Sequence, residues 1–237
     1  MIPNLHQRYL VPELMDAPNL DPVAHAQALA GLRRINWLCN TSKHVSQTIL
    51  AIANRRSLNS VDILDLGCGS GDIALGVQRL VSNRVSCQLT GWDISEVAVH
   101  NARERTKGAN QPRFEVQNAL SESQSAPKFD FVYCCLFLHH FNEQESVHIL
   151  KTMSQLARVA LIVDDLNRSR WGWLMATIGC HLLSRSPIVH FDGPQSVRAA
   201  YTVAEARGLA SQAGLNNCAV KLHWPERFQL IWERSHS

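Results

Sequence analysis

The sequence predicts a doubly wound, mostly parallel α/β sheet. Three observations predict it. Apolar, strand-like runs alternate with helix-period segments from residue 61 to residue 214. One run, "FDFVYCCLF" (129–137), is apolar throughout, as expected of a strand covered on both faces. The last two runs, 217–225 and 227–234, are joined so tightly through Pro225 and Glu226 that they read as an antiparallel hairpin.

Each element follows in order. Residues 1–20 are irregular and punctuated by Pro3, Pro12 and Pro18. Leu29, Leu32, Ile35 and Leu38 recur at the helix period; Val45, Ile49 and Ile52 repeat it after a break near Thr41. Two helices are therefore expected before the first strand, 61–67. A helix from Asp72 to Leu80 leads to a strand over 86–93. Ser95 can cap the next helix, which should run to about Lys107. Strands follow over 113–118 and 129–137. Asn142 and Glu145 have capping-box spacing at the head of another helix. A buried strand covers 158–166, and about 35 irregular or helical residues come next. Thr202 and Glu205 form a second possible box, on a helix that Gly214 stops. Counted together, the strands number seven.

Composition narrows the function. The chain has 237 residues, 46% of them hydrophobic, enough for one sizeable core. Net charge is +3 and the cations are scattered, so no nucleic-acid partner is expected. Arg103, Arg105 and Lys107 read as a solvated helix face. The seven cysteines include no C-x-x-C pair, so no metal site is expected, and reduced thiols fit a cytoplasmic protein. The first residues lack a signal peptide's apolar core. The segment Trp171 to Leu183 is too short to span a bilayer.

The chemistry begins at "DILDLGCGSGDIAL" (62–75). Gly67, Gly69 and Gly71 spell G-x-G-x-G, one place short of the dinucleotide fingerprint. Asp65 and Asp72 flank the turn and would repel a pyrophosphate. A sulfonium, or an α-amino acid group, suits it better. Asp93 ends the second strand, where an acid accepts hydrogen bonds from both ribose hydroxyls.

"LDLGCGSGDIAL" followed by "LTGWDIS" resembles the class I S-adenosylmethionine-dependent methyltransferases. The resemblance covers roughly residues 60 to 235 and implies a Rossmann-like seven-stranded sheet with S-adenosyl-L-methionine as cofactor. It implies that Asp65, Gly67, Cys68, Gly69 and Gly71 hold the methionine part, and that Asp93 holds the ribose. Ile94 would pack on adenine, Asn118 and Ala119 would meet the adenine edge, and Leu136 would complete the cofactor site. Asn118 stands where the family usually has Asp.

After the fourth strand comes "CCLFLHHF", without the Pro-Pro-Tyr turn of many amino methyltransferases. The double-His form resembles small-molecule enzymes, including those of quinone biosynthesis. In an extended chain His139 and His140 point to opposite sides, so one would be structural and the other a general base. His140 and Asp165 are the candidate catalytic residues; Asp164 and Asp165 end the fifth strand. "PELMDAPNLDP", "VDDLNRS" and "FDGPQSVRAAYT" resemble stretches of a bacterial subgroup, several members of which look like partners of type III polyketide synthases. That likeness implies a phenolic or polyketide-like acceptor.

Two domains are expected: an N-terminal helical cap over 1–57 and a methyltransferase domain over 58–237. Within the latter, 168–201 is either a lid over a small-molecule acceptor or plain scaffold. Trp171, Trp173, Met175 and Leu182 could wall an apolar pocket, and Arg33 or Arg34 with Asn36 could approach the cofactor's carboxylate. The leading function is O- or C-methylation of a small acceptor. An RNA or protein methyltransferase and a non-catalytic cofactor-binding module are the alternatives.

Overall fold

A computed structural model describes residues 3–17, 20–106, 111–121 and 128–235. Its sheet contains β1 (Ser60–Leu66), β2 (Ser86–Asp93), β3 (Arg113–Val116), β4 (Phe129–Cys135), β5 (Ala157–Leu166), β6 (Ala219–His223) and β7 (Arg227–Glu233). Their spatial order is β3-β2-β1-β4-β5-β7-β6. The first five are mutually parallel. β7 runs antiparallel to β5 and to β6. The strand order reverses between β1 and β4, which opens a crevice at the carboxyl ends of those two strands.

Helices α1 (Pro22–Leu38), α2 (Thr41–Arg55), α3 (Asp72–Ser82), α4 (Glu96–Glu104), α5 (Glu143–Leu156), α6 (Arg170–Leu183), α7 (Pro187–Ala199) and α8 (Val203–Gln212) complete the fold. Strand side chains alternate, so the central strands feed two cores. On one face Ile63, Phe131 and Ile162 pack with Ile49 of α2, Val77 of α3 and Val99 of α4. On the other, Leu64, Val132 and Leu161 pack with Ile149 and Met153 of α5 and Leu209 of α8. Cys134 and Cys135 are divided between these cores as small buried hydrophobes.

Local signals set the element ends. Both expected capping boxes form, at Asn142–Glu145 and Thr202–Glu205. Ser95 caps α4, which ends at Glu104 rather than near Lys107; Lys107 lies outside the described residues. Gly214 takes a left-handed conformation (φ 78°) beyond α8.

Helix α2, grouped by sequence with the N-terminal cap, packs on the sheet itself. Helix α1 packs instead with Cys180, Ile188 and Val189 of α6 and α7. The stretch 168–201 is more regular than its sequence suggests, because it consists largely of α6 and α7. Of its four expected pocket residues, Trp171 and Leu182 face solvent, at 69% and 79% exposure.

Candidate functional site

The glycine turn lies at the mouth of the crevice, between β1 and α3. Gly67, Gly69 and Gly71 all have positive φ, at 75°, 52° and 76°, a backbone path that only glycine follows without strain. Two of them are also boxed in. A Cβ on Gly67 would lie 2.3 Å from the Phe137 ring, and one on Gly71 would lie 2.6 Å from Phe114. A Cβ on Gly69 would meet nothing within 4 Å, so this is the turn's open side.

Asp93 secures the turn from the neighbouring strand. Its Oδ2 accepts the Gly69 N–H at 2.8 Å, and its Oδ1 accepts the Ser95 N–H at 2.9 Å. A carboxylate has further lone pairs to offer. Ile94 follows with 67% of its surface exposed. Asn118 is exposed, its Oδ1 accepting the Leu120 N–H, and Ala119 is half-buried against the core. Leu136 leaves β4 in a left-handed conformation (φ 51°), held by a hydrogen bond from its N–H to the Asp164 carbonyl at 2.9 Å. Such a conformation in a branched residue marks strain at a crevice wall.

The two acids beside the turn differ. Asp72 pairs with Arg105, so its charge is offset at the surface. Asp65 lies beneath the turn at 2% exposure and accepts a 2.9 Å hydrogen bond from the Tyr133 hydroxyl. Burial pushes its carboxyl up to about 7 despite that bond, and the Asp93 charge adds to the rise. The acid whose charge couples to Asp65 is thus Asp93 of the neighbouring strand, while Asp72 is held by Arg105. Nothing in the sequence of the apolar β4 run singles out Tyr133.

Beyond Leu136 the chain tightens into a 3-10 turn, Leu138–His140. The two histidines therefore do not splay apart. Their rings lie 4.3 Å from centroid to centroid, tilted by 30°. Asp165 meets His139, with Oδ1 2.7 Å from Nδ1 and Oδ2 accepting the His139 N–H at 3.1 Å. Asp164 projects to the opposite face, where it lies 3.0 Å from His223 Nε2 and accepts from Gln229 at 3.1 Å.

Glu13 joins this cluster from the N-terminal segment. Its Oε1 is 3.6 Å from His139 Nε2, and it accepts a hydrogen bond from Ser196. Burial alone would lower the His139 pKa, but Asp165 and Glu13 outweigh it and raise the ring to about 10. His140 goes the other way, to about 4, through burial and the neighbouring His139 charge. Burial would raise Glu13, yet its hydrogen bond with His139 and the two imidazoles bring it down to about 2.

Arg34 is committed elsewhere, donating to the Leu183 carbonyl at 3.1 Å. Asn36 Oδ1 is buried with no hydrogen-bond partner among the described residues.

Comparison with known proteins agrees with this architecture. Residues 63–159 match the family model described as a methyltransferase domain. Over 169 residues the chain is 26% identical to the chloroplastic magnesium protoporphyrin IX methyltransferase of Arabidopsis thaliana, covering 70% of this chain and 49% of that one. It is 29% identical over 122 residues to the ubiquinone biosynthesis O-methyltransferase of Albidiferax ferrireducens, covering 49% and 46%. The chain spans about half the length of these curated relatives. Two solved structures share the fold at lower identity. One is the magnesium protoporphyrin IX methyltransferase of Synechocystis PCC 6803 with bound S-adenosylmethionine (TM-score 0.56, 18% identity, 94% and 88% covered). The other is the plantazolicin methyltransferase with bound S-adenosylhomocysteine (TM-score 0.59, 15% identity, 90% and 98% covered). No helix among the described residues is long and apolar enough to cross a membrane. The glycine turn at the topological switch point and the acid that closes it from the next strand both fall within the residues that match the methyltransferase-domain model.

Proposed function

We propose that the chain transfers a methyl group from S-adenosylmethionine to an oxygen or carbon of a small aromatic or polyketide-like acceptor. The observation that carries this reading is the Asp93–Gly69 link, which presents a carboxylate and an open glycine backbone to the same crevice. In this reading Asp65, Gly67, Cys68, Gly69 and Gly71 surround the amino-acid end of the cofactor, and Asp93 takes the ribose hydroxyls. Ile94, Asn118, Ala119 and Leu136 line the adenine side. The exposed apolar surface of Ile94 beside Asp93 suits a stacked base.

The cofactor supplies an electrophilic methyl on a sulfonium, so the protein's part is alignment and exclusion of water. The rigid turn and the strained Leu136 fix one wall. Arg8 ties the N-terminal segment over the other, donating to the His139 and Phe141 carbonyls at 3.1 and 3.0 Å. His140, lowered to about 4, is neutral at working pH, so its ring keeps one lone pair, to be offered either to the proton of an acceptor hydroxyl or to a metal ion that binds the acceptor. Asp165 acts through His139, which it holds. Helices α6 and α7, covering most of 168–201, form the lid over the acceptor in this reading.

Calorimetric titration with S-adenosylmethionine and S-adenosylhomocysteine, followed by turnover of a panel of phenols, tests the proposal. Micromolar binding of both and transfer to at least one phenol are expected. Absence of binding by either ligand would end it.

A further inference from the structure

We propose that Glu13, His139 and His140 form a binding site for one divalent transition-metal ion of the zinc type, with coordination positions left open for an oxygen donor. Their ligand atoms all lie within 4.8 Å of one another. Two ligands on one zinc at about 2.0–2.1 Å stand roughly 3.3 Å apart in a tetrahedral site. The Glu13 Oε1 to His139 Nε2 separation of 3.6 Å is already close to that.

The surroundings of each ligand support the assignment. A metal-bound histidine characteristically gives its other ring nitrogen to a carboxylate or a backbone carbonyl, which fixes the tautomer and aims the ligand atom. Asp165 Oδ1 does this for His139 through Nδ1 at 2.7 Å. His140 has a hydrogen bond with the Leu136 backbone. Glu13 is steadied by Ser196, and the turn that follows it is pinned to α7, where the Asp192 carboxylate accepts the Leu14 and Met15 N–H groups at 2.9 and 3.0 Å. All three ligands are thus held before any ion arrives.

The donor set selects the ion. Two imidazoles and one carboxylate suit zinc and its neighbours better than magnesium or calcium, which prefer oxygen alone. Three protein ligands leave a position free, as in catalytic rather than structural zinc sites. His139 is buried, while Glu13 and His140 keep partial exposure, so an ion and a further ligand can enter from that side. Resting on the methyl-transfer reading, the open position suits the hydroxyl or carbonyl oxygen of a phenolic acceptor, which the ion would hold and acidify.

The test uses the full chain after chelator treatment. Titration with cobalt(II) should give visible d–d absorption that saturates at one equivalent and is displaced by zinc. Glu13→Gln and His140→Ala should each weaken cobalt binding by about tenfold or more, with far-UV circular dichroism unchanged. Zinc-edge X-ray absorption on the unaltered chain should show only nitrogen and oxygen ligands, two of them imidazole. No saturable absorption, equal affinity in the folded variants, or a sulfur shell from the cysteines would overturn the site. Should a variant fail to fold, the absorption edge decides alone. S-Adenosylhomocysteine titration separates the two proposals: cofactor binding without metal binding sinks only this site, and the reverse sinks only the methyl-transfer reading.

Discussion

The Asp93 carboxylate, at the end of β2, accepts the amide hydrogen of Gly69, in the turn after β1, at 2.8 Å. One acid therefore shapes the turn and faces the crevice that the turn opens. Asp93→Ala should weaken S-adenosylhomocysteine binding about 10- to 100-fold, the value of one or two charge-assisted hydrogen bonds at about 1.5–3 kcal/mol in total. Asp93→Asn, which keeps one acceptor oxygen, should lose less. Calorimetry on both variants checks the ordering, and equal affinity in wild type and Asp93→Ala contradicts it.

The three glycines should separate stability from binding. Gly71→Ala combines positive φ with a clash against Phe114, costing about 1–2 kcal/mol for the first and about 1–3 kcal/mol for the second. Gly69→Ala has only the first cost, because its Cβ position is open. Urea melts should therefore rank Gly71→Ala as the less stable. Cofactor affinity should fall in Gly69→Ala even so, since the added methyl occupies the ligand's side of the turn. A Gly69→Ala protein with unchanged affinity would place the ligand elsewhere.

Asp65 should make cofactor binding depend on pH. Its folded pKa, about 7, lies above the ordinary carboxyl value, so the folded chain binds a proton that the unfolded chain has already lost. This contribution to stability is full below about pH 4 and fades as pH rises towards 7. A cationic ligand prefers the ionised form, so affinity should fall about fivefold from pH 7 to pH 6 through this group. Asp65→Asn should remove that pH dependence and raise the urea midpoint at pH 8. Calorimetry and melts across pH 5.5–8.5 measure both.

Arg168 is a structural counterpart. It is buried and forks onto Glu205 at 2.8 and 2.6 Å, while also donating to the Ala200 and Leu5 carbonyls. Arg168→Ala leaves those acceptors unmatched and should destabilise the fold by about 3–5 kcal/mol. Arg55, exposed and paired with Glu233, should cost under about 1 kcal/mol when replaced by Ala. Chemical denaturation distinguishes the two.

Sequence alone reached the sheet, its hairpin and the glycine turn, because each depends on signals a few residues apart. Strand alternation, left-handed glycines and the two capping boxes are of this kind. It did not reach the Asp72–Arg105 pair, which depends on how α4 lies against α3. The relation of the two histidines also escaped it, because "LFLHHF" coils into a 3-10 turn where the apolar run suggested continued strand. Glu13 was not among the candidates at all. It lies in "PELMDAPNLDP", whose likeness to a bacterial subgroup assigns it no role, and its partners, His139 and Ser196, are brought to it only by the folded chain.

The docking of the N-terminal segment bears on the order in which the chain is made. Arg8 and Glu13 are made long before their partners: Arg8 is fastened to the Ala199 carbonyl and stacked on Tyr201, and Glu13 to Ser196. A nascent chain released through β5 already holds the glycine turn, Asp93 and both histidines. It still lacks the strap that brings Glu13 to them. The Glu13–histidine cluster therefore closes only once residues 196–201 have been made, whereas the glycine turn and Asp93 are contributed by much earlier parts of the chain.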